Sequence, residues 1–538
     1  MVKDEEISHR RPMKARSFLS AVAAALFTLL FAAAGLFWAM DQGSPLRLSE
    51  QPLHLPRAAQ FVPRDAALSL HWLMDSSRLP AYVQSVAPAS ERRAARDAAG
   101  QWREAALALA GLNYASELAP WLGTDLSLAL LDAADQPGWV LALTSRDSDG
   151  ARRFLQRFWQ TRSLAGTDLQ ISSYRGIGLI SGRGALIGHE PQPLATALID
   201  DDLLLLASGR GVLERALDVS QLKDQHQLGD QALQRRVAGL GTGVALMTAS
   251  PRGLQQWLSL PAAIAERDQL SGLVAAVRPE GAELVADAAL LFQGQLDVPS
   301  WSPLDDLVTT TGGRARWLAQ LQAPARLLDP EDTHPLAQWL GPWLRNQLRD
   351  HPAAAAVLQR DDGPLLWQQQ DEGWLLTSRH GHPALSEVDA QLQDEGLSRS
   401  ALAEEGDNLQ VWTRLVHRRG RTNGLDAQLA VVQASSSGQD WWAETLAAMA
   451  LRRDNRGVQT LRRQWQALKG TDSPAQAMLL DSTTARELLR QWTPWGQLMA
   501  LTGQPLQERV TGLGLTLGVD HQDDDSTELP LNVRLAFG

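Results

Sequence analysis

Segments from the first half of this 538-residue chain recur in the second half, in the same order. The clearest pair is GWVLALTSR, which begins at Gly138, and GWLLTSR, which begins at Gly373. The matched segments are 124–159 with 363–392, 167–176 with 407–415, 198–217 with 424–446, 243–258 with 475–492, and 270–292 with 510–537. Five matches at a nearly constant offset predict a tandem duplication, so each half must be able to form a similar fold.

Local patterns predict the fold class of the repeated region. Leucines alternate with small residues over 510–519, and apolar residues again take every second position over 529–537, which is typical of half-buried strands. Ser90 is placed to cap a long Ala-rich helix. Strand pairs followed by single helices predict an α+β fold with antiparallel sheets and packed helices. We expect a first α+β half at 61–300 and a second, divergent half at 301–538.

The N-terminal region predicts a membrane anchor. Residues 17–40 contain no charged side chain, and as a helix they are long enough to cross a hydrocarbon core of about 30 Å. Basic residues crowd the segment 1–16, which predicts a cytoplasmic tail. We expect a transmembrane helix at 17–40 with the lipid bilayer as its partner, followed by a stiff Pro-containing linker at 41–60. The alternative is a cleaved signal peptide, because Ala32-Ala33-Ala34 is similar to a cleavage site.

Both interpretations place residues 41–538 across the membrane, outside the cytoplasm. The formal net charge of −11 argues against a nucleic-acid partner, because such proteins need a basic surface. The chain has no cysteine, which excludes disulfides, thiolate metal sites and thiol nucleophiles. Stability must therefore come from large cores, which a chain of this length can form.

Several segments together resemble a known family. FVPRDAALSLHW begins at Phe61, LAPWLGTDLSLALL begins at Leu118, and IDDDLLLLASGRGVLERAL begins at Ile199. Placed after an apolar N-terminus, they resemble the exported, membrane-anchored bacterial proteins, common in cyanobacteria, that carry domain of unknown function 3352. The resemblance covers residues 60–538, although the second half is more divergent. It implies the periplasm or the thylakoid lumen as the location of residues 41–538, and it supplies no activity, catalytic residue or cofactor.

Two short motifs could carry chemistry. Arg379-His380-Gly381 is the tripeptide of histidine phosphatases, but the matching point of the first half reads Arg146-Asp147-Ser148, which favours a loop. Ser220-Gln221-Leu222-Lys223 matches the S-x-x-K motif of penicillin-binding proteins, but the companion motifs are absent. The catalytic residues therefore stay unknown.

Candidate ligand sites are equally weak. Ser-Gly-Arg-Gly occurs at 181–184 and 208–211, and a true phosphate loop needs more glycines and a Lys, so turns are the simpler interpretation. Asp clusters at 200–202 and 523–525 do not follow EF-hand spacing. His380 and His382 offer two zinc ligands where three are usually needed. We expect no metal and no cofactor.

The Trp content leaves two functions open. Nineteen Trp stand against three Tyr, and Trp is common both in cores and at partner or glycan interfaces. We predict a non-enzymatic binding, scaffold or assembly protein whose partner is an envelope or lumenal protein. The alternative is an envelope hydrolase, or a glycan- or lipid-binding protein with a Trp-lined cleft. Trp side chains confined to the cores would remove that cleft.

Overall fold

The computed structural model describes residues 52–537 with several gaps. The gaps are 88, 91, 109–111, 132–137, 188–189, 281–282, 297–300, 304–306, 308–314, 405–406, 418–424, 454–457, 470–473, 493–494, 497–505, 520 and 524–525. The chain divides into two compact units. Unit 1 contains residues 1–259, 274–282 and 490–507, and unit 2 contains residues 260–273, 283–489 and 508–538. The predicted halves are contiguous, whereas each unit is assembled from separate stretches.

The predicted fold class needs a correction at its N-terminal transmembrane helix. Among the described residues no helix is long and apolar enough to cross a membrane. The two 17-residue helices, Arg92–Ala108 and Ser148–Leu164, each carry several arginines and have amphipathic sequences, as expected of helices that bury one face. A transmembrane helix is therefore not supported as part of the fold. The predicted span at 17–40 and the tail at 1–16 lie outside the described residues.

Part of the predicted linker 41–60 packs against unit 1. Pro52 forms a β-bridge with Thr242, and the Leu53 N–H donates to the Gly241 carbonyl at 2.8 Å. Leu53 and Leu55 are buried, and a 3₁₀ turn follows at Arg57–Phe61. The described part of this segment, from residue 52 onward, is thus held by the unit.

In the described part of unit 1, eight strands form an antiparallel sheet. The strands are β1 Leu68–Leu73, β2 Leu122–Leu131, β3 Gly138–Ser145, β4 Gln170–Tyr174, β5 Ile177–Ile187, β6 Glu190–Ile199, β7 Leu203–Ala207 and β8 Ala245–Ala249. Their pairings give the order β4-β5-β6-β7-β3-β2-β1-β8. A further strand, β9, spans Leu270–Glu280.

Unit 2 contains a longer antiparallel sheet. The strands are β10 Glu283–Gln293, β11 Trp317–Gln322, β12 Pro364–Gln370, β13 Gly373–Arg379, β14 Ser398–Glu404, β15 Asp407–His417, β16 Leu425–Ser436, β17 Gln439–Ala443, β18 Gln476–Asp481, β19 Val510–Leu517, β20 His521–Asp523 and β21 Ser526–Phe537. The order is β14-β15-β16-β17-β13-β12-β11-β18-β19-β21-β10, and β20 also pairs with β21.

The strand orders of the two units match over eight positions. Replacing β1 by β11, β2 by β12, and so on through β8 by β18 converts the order of unit 1 into the first eight strands of unit 2. Every one of these pairs is antiparallel, which agrees with the predicted α+β class. A tandem duplication requires such a match.

Helices cover the sheets. They are α1 Leu79–Val86, α2 Arg92–Ala108, α3 Ser148–Leu164, α4 Arg210–Ser220, α5 Gln231–Gly239, α6 Pro251–Leu258, α7 Ala262–Ala265, α8 Pro324–Leu328, α9 Pro335–Leu348, α10 Pro352–Leu358, α11 Leu385–Asp394, α12 Leu446–Ala450, α13 Val458–Lys469, α14 Ser482–Gln491 and α15 Leu506–Arg509. In unit 1, Leu213, Ala216 and Leu217 of α4 pack on β2, β3, β6 and β7. In unit 2, Ala448 and Met449 of α12 pack on β13, β15, β16 and β17.

Candidate functional site

A buried polar cluster lies in unit 1 on strands β1, β2 and β8. His71 is fully buried, with its Nδ1 atom 2.9 Å from the Ser127 Oγ and its Nε2 atom 3.4 Å from the Gln227 Oε1. Ser69 Oγ lies 2.7 Å from Thr248 Oγ1, and the Gln227 side-chain amide donates to the same Thr248 oxygen at 3.0 Å. Both ring nitrogens of the histidine thus lie near polar side chains, as a buried imidazole requires.

The environment of His71 determines what this cluster can do. Burial lowers the pKa of His71 to about 4, and the hydrogen bond with Gln227 opposes this shift. The imidazole is therefore neutral near pH 7. The side chain is completely enclosed, so the cluster supplies hydrogen-bond partners for polar groups in the interior of unit 1. His71 could not be identified from the sequence, because a lone His within a strand segment carries no motif.

Unit 2 buries a different polar residue at the strand position that corresponds to His71. Ala142 and Thr377 each lie four residues after the glycine of the repeated Gly-Trp strand. Cross-strand pairing leads from Ala142 through Ser127 to His71, and from Thr377 through Leu366 to Gln320. Gln320 therefore takes the place of His71, and it is also fully buried.

The histidine motif of unit 2 forms a turn. His380 Nδ1 lies 2.9 Å from Asp440 Oδ1, the Gly381 N–H donates to the other oxygen at 2.7 Å, and Ser435 Oγ donates to Asp440 Oδ1 at 2.6 Å. The carboxylate thus stands between the hydroxyl and the imidazole. Nucleophilic catalysis needs the imidazole next to the hydroxyl, so this order does not build a triad. Asp440 holds the turn after β13.

The remaining predicted candidates are also accounted for by local structure. Asp200 and Asp202 are paired with Arg57, and Asp201 with Arg152, so each of these carboxylates has an arginine partner. Ser220 Oγ donates to the Leu217 carbonyl at 2.7 Å at the end of α4.

The two Ser-Gly-Arg-Gly segments differ in structure. Residues 181–184 lie inside strand β5, and residues 208–211 lead into α4, with Gly209 at φ +135°. Of the cluster 523–525, Asp523 ends β20 and the other two lie outside the described residues. Within the described part of the chain no group of three or more His, Asp or Glu could hold a metal ion.

The Trp side chains lie in the cores. Every Trp whose side chain the structure describes is buried or half-buried. Buried examples are Trp72, Trp121, Trp139 and Trp159 in unit 1, and Trp317, Trp367, Trp374, Trp412 and Trp442 in unit 2. The expected alternative of a ligand cleft lined by exposed Trp is therefore not supported by these residues.

The most exposed strands of unit 2 form a ribbon, β14-β15-β16. All seven residues of β14 are exposed, and no described strand pairs with its outer edge. Leu415 and Leu425 are 63% and 58% exposed, and pairing places them two positions apart on one side of the ribbon. Leu402, also exposed, lies opposite Leu409. An apolar strip therefore continues from the core onto an uncovered surface.

Comparison with known proteins identifies the family of this chain. Residues 21–535 match the family described as "Protein of unknown function (DUF3352)". The chain belongs to this family. The expected resemblance is thereby confirmed, and membership brings no activity with it. No curated protein matches the DUF3352 chain.

Two solved structures are similar over part of the chain. "Structure of crystal form III of TP0453" covers 45% of this chain and 79% of its own, with 10% identity and a TM-score of 0.25. "Structure of crystal form I of TP0453" covers 46% and 81%, with 12% identity and a TM-score of 0.25. A likeness at this level carries no argument about fold or function.

Proposed function

We propose that this DUF3352 protein is a non-enzymatic binding protein that docks a protein partner through the ribbon β14-β15-β16. The main observation behind this proposal is that the edge strand β14 is exposed along its whole length. Natural edge strands are normally protected by Lys, Pro, a bulge or a covering element. The sequence SRSALAE contains no Lys and no Pro, and its pairing with β15 is regular. Its charged residues are Glu404 and Arg399, and Arg399 pairs with Asp389 of the same unit.

The chemistry of the edge favours an extended peptide segment as the occupant. Strand addition supplies main-chain hydrogen bonds for affinity and uses side-chain contacts for specificity. The side chains of β14 are mostly small, so an incoming strand can approach closely. Leu402, Leu415 and Leu425 add apolar area beside the edge. A partner segment with alternating apolar residues is the expected match.

The test is site-specific photo-crosslinking of the full chain in cells. A crosslinker at Ser400 on β14 is compared with one at Ser173 on β4, the exposed edge strand of unit 1. Strand addition predicts crosslinks from Ser398, Ser400 and Leu402 to successive positions of one partner segment. Capture of a mixture without such a register, or no capture above the Ser173 control, contradicts the proposal.

A matched pair of variants separates docking from folding. Leu402→Lys places a charge beside the β14 edge, and Ile171→Lys does the same on β4, where Ile171 is 79% exposed. We expect Leu402→Lys to abolish the crosslinks and Ile171→Lys to leave them unchanged, with both proteins folded by circular dichroism. Retention of the crosslinks in Leu402→Lys would remove the ribbon as the docking surface.

The compartment is a separate part of the proposal. Arg10, Arg11, Lys14 and Arg16 precede the uncharged run and support export of the chain that follows it. The periplasm or the thylakoid lumen is the expected location. Protease protection in intact and osmotically opened cells tests it. A periplasmic location predicts digestion once the outer barrier is opened while the inner membrane stays sealed, and a lumenal location predicts digestion only after the thylakoids are opened.

A further inference from the structure

A cavity of about 250 Å³ lies in unit 2 between helix α13 and the sheet. Leu468 of α13, Leu318 of β11 and Leu479 of β18 form apolar walls, and glycines of β19 form part of the floor. The cavity is separate from the ribbon β14-β15-β16, because none of the residues that line it belongs to those strands.

Two glycines on β19 determine where the space is. A Cβ atom on Gly514 would lie 2.5 Å from the Leu468 side chain, so this glycine lets the helix approach. A Cβ atom on Gly512 would meet only the Leu480 carbonyl oxygen at 3.3 Å and the Ala536 Cβ at 4.0 Å. The helix therefore contacts the floor above Gly514 and leaves it open above Gly512.

Charged groups line the cavity at two edges of its floor, Asp481 on β18 and the pair of Glu283 and Arg534 on β10 and β21. Arg534 Nη1 lies 3.2 Å from Glu283 Oε2, and Asp481 Oδ1 accepts the Thr484 N–H at 2.8 Å at the start of α14. Among the described residues that line the space, these three carry the charges. Two carboxylates against one guanidinium give a net charge of −1. An anionic head group is therefore repelled, and a neutral or cationic one is favoured.

We propose that this cavity binds a small neutral or cationic amphiphile whose chain has about eight carbons. The volume corresponds to roughly eight waters at about 30 Å³ each, and it lies below the range of about 300–1,000 Å³ typical of larger ligands. The apolar walls receive the chain, and Asp481 receives a hydroxyl or ammonium head. The proposal is independent of partner docking, since it concerns other residues.

Three probes with the same chain length test the class of ligand. Octylamine, 1-octanol and octanoate are titrated into the full chain by calorimetry below their aggregation concentrations. We expect octylamine and 1-octanol to bind, and octanoate to bind at least tenfold more weakly. No binding of any probe overturns the proposal and leaves the cavity a packing defect. Equal binding of all three overturns the assigned charge preference.

Filling the cavity tests the location. Gly512→Val projects two methyl groups into the open space at a β-strand position. Gly178→Val on β5 is the matched control, because a Cβ there meets no atom within 4 Å and the residue is also in a strand. We expect Gly512→Val to weaken 1-octanol binding at least tenfold without lowering Tm, and Gly178→Val to bind as the unaltered chain does.

Two further variants test the location of the ligand and the charge preference independently. Ala536→Leu fills the same space from β21 and serves if Gly512→Val does not fold. Asp481→Asn keeps a helix-capping oxygen and removes one negative charge, so octanoate binding should improve severalfold. Unchanged 1-octanol binding in whichever cavity-filling variants fold places the ligand elsewhere and rejects the site.

Discussion

The two units share eight strand positions in the same order, yet they satisfy their buried polar groups differently. In unit 1, His71, Ser69, Ser127, Thr248 and Gln227 form one cluster in which each side chain contacts another. In unit 2, the position of His71 is taken by Gln320, and the nearby Thr377 hydroxyl is buried without a hydrogen-bond partner in the described part of the chain. The same strand order therefore does not determine which polar side chains are buried or how they are hydrogen-bonded.

The two units also differ in the ionisable side chain that each of them buries. Unit 1 buries a histidine whose pKa is lowered to about 4. Unit 2 buries Asp361, directly before β12, and burial raises the pKa of this carboxyl to about 7. Each group is held near neutrality by removal from water. Acid therefore opposes folding at one site and favours it at the other.

The largest expected effect is an opposite pH response of the two units. Between pH 6.5 and about 4 the unfolded chain protonates His71 and the folded one does not, so unit 1 loses up to about 1.4 kcal/mol per pH unit as the pH falls. Between pH 3.8 and about 7 the folded chain keeps the proton on Asp361, so unit 2 gains stability as the pH falls. Hydrogen exchange of β1 and β12 amides, corrected for intrinsic rates, measures both slopes.

Single substitutions assign each slope to its residue. His71→Gln copies the residue of unit 2 and should flatten the response of β1 while leaving that of β12 intact. Asp361→Asn should do the reverse, and it should stabilise unit 2 at pH 8, where the carboxylate would otherwise be charged. Parallel slopes in both units, or slopes that survive these changes, would show that other groups control the pH dependence.

A smaller effect is expected from removing one buried hydroxyl in each unit. Thr248→Val deprives Ser69 and Gln227 of a partner and should cost about 1–3 kcal/mol. Thr377→Val removes a hydroxyl that has no partner among the described residues, so stability should stay unchanged or rise by up to about 1 kcal/mol. Urea unfolding of both variants gives the difference, and an equal loss in the two would contradict the contrast.

The smallest effect concerns the turns before β7 and β17. Each turn has two residues at positive φ, Asp200 and Asp201 in the first and Ser437 and Gly438 in the second. Beside the first turn, Arg57 pairs with Asp200 and Asp202. Exposed pairs contribute about 0–1 kcal/mol. Arg57→Gln should therefore lower Tm slightly in low salt and not at all in 1 M salt. A loss that persists in high salt would mean that Arg57 acts through packing.

Much of the local structure could be predicted from the sequence. The alternation over 510–519 gives β19, that over 529–537 falls inside β21, and the helix placed after Ser90 is α2. These are short-range patterns. A two-residue period indicates the buried side of a strand, and a 3.6-residue period indicates the buried side of a helix. The transmembrane helix is the element that the structure does not support, because no helix among the described residues is long and apolar enough to cross a membrane.

The candidate sites were harder to predict. His71, Ser127 and Gln227 come from three segments, and the cavity in unit 2 is lined by Glu283 and Arg534, which are 251 residues apart. Residues so far apart in the sequence follow no periodic pattern from which their contact could be predicted. The motif Arg379-His380-Gly381 was visible in the sequence, but in the structure it forms a turn that Asp440 holds.

The sequence by itself determined the repeat, the strand and helix periods, the acidic charge, and the absence of thiol chemistry, since these follow from residue types and short-range order. The tertiary structure alone decided that Trp fills cores, that a polar cluster surrounds His71, and that Glu283 on β10 meets Arg534 on β21. The physical reason is that burial and pKa depend on which distant segments exclude water together, and this is settled only when the sheets are assembled.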